Sequence, residues 1–67
     1  MKVREVIRDL EIHGWRVCRQ SGSHRVLRHL DHPDRRVVVA GNDGKDVPAG
    51  TLAAIYRQAG IDPPGRR

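Results

Sequence analysis

The residues best suited to chemistry lie in Arg19-Gln20-Ser21-Gly22-Ser23-His24-Arg25, where one imidazole follows a Gly-containing turn and stands among cations. An imidazole of ordinary pKa, about 6.5, can accept or return a proton near neutrality. Arg19, Arg25 and Arg28 fall within a few residues of His24, and Lys45 follows in a later loop. A proton carrier fixed in a positive field suits a polyanion with chemistry to be done on it. Chemistry on a phosphate chain needs groups that take and return protons, and it needs cations for the charge that builds on the phosphorus oxygens. His24 fits either proton-transfer role. Arg19, Arg25, Arg28 and Lys45 fit positioning and charge stabilisation. Ser23 fits a donor to a phosphate oxygen, through its hydroxyl or its backbone N–H. The plain alternative is an ordinary surface histidine, since no paired base, carboxylate or cleft is visible around it.

The remaining titratable residues point to less. His29 and His32, taken with Cys18 and His24, suggest a metal, but the spacing argues against one. His24 and His29 are an odd number of residues apart, so a regular strand points them to opposite faces. There is no C-x-x-C pair and no H-x-x-x-H on a helix, and no cofactor is implied. Cys18 is the only cysteine, so no internal disulfide can form, which fits a small cytoplasmic domain. No stretch resembles a signal peptide. The run Val37-Val38-Val39-Ala40 is far too short to cross a membrane.

Composition narrows the partner. The formal net charge is +5, with 13 Lys and Arg against 8 Asp and Glu. Arginine predominates, which favours planar, bidentate recognition of phosphate. A nucleic acid is the natural inference, although an acidic protein would satisfy the same charges. Trp15 and Tyr56 are the only aromatics, too few for a platform that stacks successive bases. The core is accordingly expected to be aliphatic. A chain of 67 residues makes one domain with a thin core, and any site must be a shallow groove or an edge.

Local patterns give the elements that must hold these residues. Val3, Val6, Ile7 and Leu10 form one stripe of a helix predicted over about Lys2–His13, with Gly14 as its left-handed terminator. Trp15–Gln20 and His24–Leu30 read as strands joined by a loop of about three residues, Ser21-Gly22-Ser23. Period two puts His24, Val26, Arg28 and Leu30 on one face of the second strand and Arg25, Leu27 and His29 on the other. It does not decide which face meets the helices. Asp31–Asp34 reads as a turn and Arg35–Ala40 as a third strand. After a loop at Gly41–Asp46, the spacing of Leu52, Ile55, Tyr56 and Ala59 predicts a helix over about Pro48–Ala59, stopped by Gly60. The order α-β-β-β-α implies a two-layer α+β domain over 1–61, with a three-stranded antiparallel sheet and both helices on one face. The tail, 62–67, is expected to be disordered.

Read together, several short motifs resemble the HicA toxins, also called the YcfA-like family. They are Gly14-Trp15, Arg19-Gln20, Gly22-Ser23-His24, Lys45-Asp46-Val47-Pro48, Gly50-Thr51-Leu52, Ile55 and Gln58-Ala59-Gly60-Ile61, covering about Val3 to Ile61. The resemblance implies a fold like that of double-stranded-RNA-binding domains. It also implies metal-independent cleavage of mRNA, His24 as the essential residue and a HicB antitoxin as protein partner. Many relatives carry a second histidine after the third strand, in a Pro-x-His arrangement. This chain reads Ala40-Gly41-Asn42 there, with Asn42 in its place. Two other readings compete with the ribonuclease: a non-catalytic RNA-binding module of the same fold, and an Arg-rich domain that meets an acidic protein.

Overall fold

Val3, Val6, Ile7 and Leu10 are all buried, so the apolar stripe of the first segment is the face of a helix that lies against a core. A computed structural model of the chain describes residues 1–63. Within them the elements run α1 (Val3–Ile12), β1 (Arg16–Ser21), β2 (His24–His29), β3 (His32–Ala40) and α2 (Ala49–Ala59). The predicted α-β-β-β-α order is present, and the sheet is antiparallel with strand order β1-β2-β3. Of the tail expected to be disordered, residues 64–67 lie outside the described residues.

Both helices end the same way. At α1 the Gly14 N–H donates to the Glu11 carbonyl and the Trp15 N–H to the Leu10 carbonyl; at α2 the Gly60 N–H reaches Arg57 and the Ile61 N–H reaches Tyr56. These paired bonds close the last turn and satisfy carbonyls that a helix otherwise leaves open. Gly14 is required twice over. Its φ is +94°, and a Cβ there would run into Nε2 of His29.

One face of the sheet supplies the core. Trp15, Leu27, Val37 and Val39 are buried with the α1 stripe and with Val47, Ile55, Tyr56 and Ala59. The expectation of an aliphatic core therefore needs amending. Both aromatic residues are within it, Trp15 1% and Tyr56 0% exposed. The Tyr56 hydroxyl donates to Asp9 Oδ2 at 2.6 Å, which gives the buried phenol its polar partner.

Three boundaries differ from the sequence reading. The β1–β2 loop is the two residues Gly22-Ser23 rather than three. Gly22 has φ +58° and Ser23 does not have positive φ, the pattern of a tight hairpin with Gly at its first central position. The β2–β3 turn falls at Leu30-Asp31 rather than Asp31–Asp34, and Pro33 lies inside β3. A proline is tolerated there because β3 is an edge strand, where one N–H of each pair of residues has no ladder partner. Pro48 caps α2 from outside instead of opening it.

The loop after β3 is fixed to the start of α1. The Val3 N–H donates to the Lys45 carbonyl (2.9 Å) and the Arg4 N–H to the Asp43 carbonyl (3.1 Å), so the loop takes up donors that a helix N-terminus leaves unpaired. The Val47 N–H returns a bond to the Met1 carbonyl (2.8 Å), and Lys2 Nζ lies 3.3 Å from Asp46 Oδ1. No helix among the described residues is long and apolar enough to cross a membrane.

Candidate active site on the open sheet face

Leu27 is fully buried, and this decides what the alternation of β2 left open: Arg25, Leu27 and His29 look toward the helices, and His24, Val26 and Arg28 look away. His24 is exposed, paired through its backbone with Ser21 on one side and Ala40 on the other. Its imidazole therefore rides on the middle strand of the sheet and beside the hairpin turn. No described side chain hydrogen-bonds either ring nitrogen, so both are open to a ligand.

Cross-strand pairing places the neighbours of His24. Arg19 pairs with Val26, two residue pairs from the Ser21–His24 pair, and stands on the same open face. Diagonal neighbours of this kind have Cα atoms about 7–8 Å apart, within reach of an arginine side chain. A bulge at Cys18 makes this possible. Val17 pairs with Leu27 and Arg19 with Val26, so the extra residue returns Arg19 to the His24 side. Arg28 is four residues along β2 from His24, about 13 Å away at about 3.3 Å per residue. Opposite Arg28 the ladder is irregular: Leu27 pairs with Val37 and His29 with His32, leaving Pro33–Arg36 of β3 facing one residue of β2. Arg28 Nη1 donates across this gap to the Pro33 carbonyl at 3.3 Å.

The other residues proposed from sequence are placed differently. Arg25 is on the helix side, and its guanidinium is paired with the Asp43 carboxylate. It is thus tied to the loop after β3 and separated from His24 by the sheet itself. Ser23 is in the hairpin turn, where its carbonyl accepts from the Gly41 N–H at 3.1 Å, so the turn and the start of the loop are joined. Lys45 is exposed on that loop, its side-chain stem running beside Gly41. The structure therefore gathers His24, Ser23 and Arg19 at one end of the open face and sets Lys45 on the adjoining loop. Arg28 lies further along the same face and Arg25 behind it.

One cation went unnoticed in the sequence. Alternation from the buried Val37 puts Arg36 on the open side with Val38, whereas Arg35, whose Nη1 approaches Gly60, is on the helix side. The adjacent pair Arg35-Arg36 was readable, but its division between faces depended on which valines were buried.

The other histidines are structural. His29 Nε2 donates to the His13 carbonyl at 2.9 Å and its Nδ1 accepts from the Asp31 N–H at 3.0 Å. His29 meets Trp15 edge-on with centroids 5.3 Å apart, and His32 stacks on Trp15 at 6.3 Å. His13 Nδ1 is bonded to the Asp9 carbonyl. Among the described residues no group of three or more His, Cys, Asp or Glu is arranged to hold a metal ion.

Concavities occur elsewhere. One is lined by Gly14, Arg16, Arg28, His29, Leu30 and neighbours at the far end of the sheet, and another runs along α2 by Leu52, Tyr56 and Ile61. Neither includes His24, which is exposed on the sheet. A family model described as the HicA toxin of bacterial toxin–antitoxin systems matches residues 3–61. No curated protein matches the chain significantly.

Proposed function

The chain belongs to the HicA toxin family of bacterial toxin–antitoxin systems, and from that premise we propose that it is an mRNA-cutting endoribonuclease that uses His24 and no metal. The observation that carries the reading is His24 itself: an exposed imidazole with unengaged nitrogens, held by backbone pairing on both sides, on a face bearing arginines. β1 and β2 contain no carboxylate, so these two strands offer cations to phosphate and no anionic oxygen ligand to a divalent ion.

In the proposed reaction His24 takes the proton from a ribose 2′-hydroxyl. The 2′-oxygen then forms a bond to the adjacent phosphorus as the bond from phosphorus to the 5′-oxygen breaks. The 5′-oxygen takes up a proton, from water or from the same imidazolium, leaving a 2′,3′-cyclic phosphate and a 5′-hydroxyl. Arg19 and the Ser23 N–H stand nearest to hold the phosphoryl oxygens, and Lys45 can approach from the loop. The substrate puts the site of action in the cytoplasm. A HicB-like antitoxin is the expected protein partner, and covering His24 and Arg19 would block substrate and complement the charge together.

Purified protein should cut single-stranded RNA in EDTA, spare DNA, and lose cutting on His24→Ala with the fold intact. Equal cutting of DNA would reject the 2′-hydroxyl mechanism. One observation favours a second reading, a non-catalytic RNA-binding module: His24 has no second imidazole on its face, and Asn42 stands where many relatives carry one. That reading predicts salt-sensitive binding and no new RNA ends. A third, an Arg-rich domain for an acidic protein, predicts no RNA affinity near physiological salt.

A further inference from the structure

We propose that the open face of the sheet, from His24 to Arg28 and Arg36, is the track on which a single strand of RNA lies, with the cut made at the His24 end. This rests on the reading of His24 as the cleaving residue and adds where the rest of the substrate goes.

The two exposed surfaces differ in charge. The exposed side of α1 alternates in sign, with Lys2, Arg4 and Arg8 against Glu5 and Glu11. Its field therefore largely cancels at the distance of a bound strand. The open sheet face does not cancel. It carries Arg19, Arg28 and Arg36, β1 and β2 contribute no acid, and the one acid in β3 is Asp34 at the end remote from His24. Summed positive charge on a surface of this kind attracts a polyanion over the whole patch.

Some arginines hold the fold and others face solvent. Arg16 pairs with Arg28 in the ladder, but its guanidinium is turned to the carbonyls of Glu11 and Trp15 and closes the end of α1. Arg25 is paired with Asp43 on the helix side. Arg28 gives one bond to Pro33, which fixes the plane of its guanidinium while most of its five N–H donors remain outward. Arg19 and Arg36 have no such housekeeping contact among the described residues.

Apolar side chains lie between the cations. Val26 and Val38 are cross-strand partners in the middle of the face, and Val38 is 41% exposed. An apolar floor flanked by guanidinium groups matches a single strand, which offers ribose and base faces between its phosphates. Strands about 4.8 Å apart make a three-stranded face about 10 Å wide, suited to one chain.

The test uses His24→Ala protein, so that binding is read without cleavage, and a short fluorescent single-stranded oligoribonucleotide titrated at several salt concentrations. Arg36→Gln and Arg28→Gln should each weaken binding several-fold and lower the slope of log affinity against log salt by about 0.7. Val38→Glu should weaken it further, while Arg4→Gln and Arg8→Gln on α1 should leave it unchanged. Thermal unfolding of each variant separates lost binding from lost fold, and Arg36, which has no fold contact, is the decisive position. Weakening by the α1 variants alone would overturn the track and put RNA on the helices. Loss of binding to an acidic protein partner, with RNA affinity unmoved by the sheet variants, would make this face a protein-docking surface and also overturn the track. Either result leaves the ribonuclease reading standing if wild-type protein cuts RNA. Failure of every protein to bind RNA would sink both.

Discussion

The two ends of β2 carry histidines that the sheet treats in opposite ways. At the far end His29 faces the helices, with each ring nitrogen bonded to backbone and its ring against Trp15 and His32. At the near end His24 faces away from the helices, with neither nitrogen bonded to a described side chain. The strand and the residue type are the same, and only the face differs. An imidazole whose nitrogens already serve the backbone can move no proton for a substrate without giving up a bond that holds the turn. What makes a histidine chemically available is therefore its lack of other work. A single odd step along a strand decides it.

The sharpest way to break this contrast is to remove each ring in turn. His24→Ala should lower RNA cleavage by about 10²–10⁴-fold, the usual worth of a positioned proton-transfer group. Its unfolding free energy should stay within about 0.5 kcal/mol of the parent, as for an exposed residue. His29→Ala should do the reverse, lowering thermal stability while folded molecules keep cutting. If His29→Ala abolished cutting without destabilising the fold, the contrast would be wrong. Trp15→Ala, which takes out the ring that both far-end histidines pack on, should cost about 3–5 kcal/mol. Small domains sit near the low end of the usual 5–15 kcal/mol stability, about which denaturant titration should find this variant largely unfolded.

A subtler strain on the far end comes from Gly14→Ala. The new Cβ would collide with His29 Nε2 in a backbone with φ +94°, so His29 must swing away from the His13 carbonyl. A loss of about 1–3 kcal/mol is expected, read as a lower melting temperature, with the rate of cutting per folded molecule unchanged. A change in that rate would show that the two ends communicate.

How much of this was legible depended on range. The α1 stripe, the Gly14 and Gly60 terminators and the hairpin at Gly22 were readable because each rests on residues within a turn of one another. The orientation of β2 was not, because alternation over the predicted strand His24–Leu30 leaves apolar residues on both faces: Val26 and Leu30 on one, Leu27 on the other. It was settled by packing that spans the chain, Trp15 and Tyr56 closing over Leu27, Val37 and Val39. The place of Arg25 was hidden for the same reason, since Asp43 is 18 residues away. The turn before β3 was misplaced because Pro33 reads as a turn signal, whereas an edge strand accepts it. The candidate site was legible as residue types around His24, but which arginines share its face required the bulge at Cys18 and the irregular pairing at Arg28.

The smallest effect is also the one that would bring the two ends closest together. His29 and His32 face each other across the far turn with ring centroids 5.0 Å apart, whereas His24 stands without a second imidazole on its face. Asn42 lies two residues beyond Ala40, the backbone partner of His24, and the Gly41 N–H bond to the Ser23 carbonyl holds that segment against the hairpin. A histidine at 42 would thus stand on the loop joined to the His24 hairpin, where it must reach past the end of the sheet, since the neighbouring Asp43 is held on the helix side. The Asn42 carbonyl, which accepts from the Lys45 N–H, is backbone and is unaffected by the change. If protonation of the leaving oxygen limits cleavage, Asn42→His should raise the rate by up to about tenfold, about 1.4 kcal/mol of barrier. Single-turnover cleavage in EDTA reads this directly, and the gain must vanish in the double variant with His24→Ala. A gain that survives loss of His24 would mean that residue 42 cuts by itself, and the near end would no longer be a site with one essential imidazole.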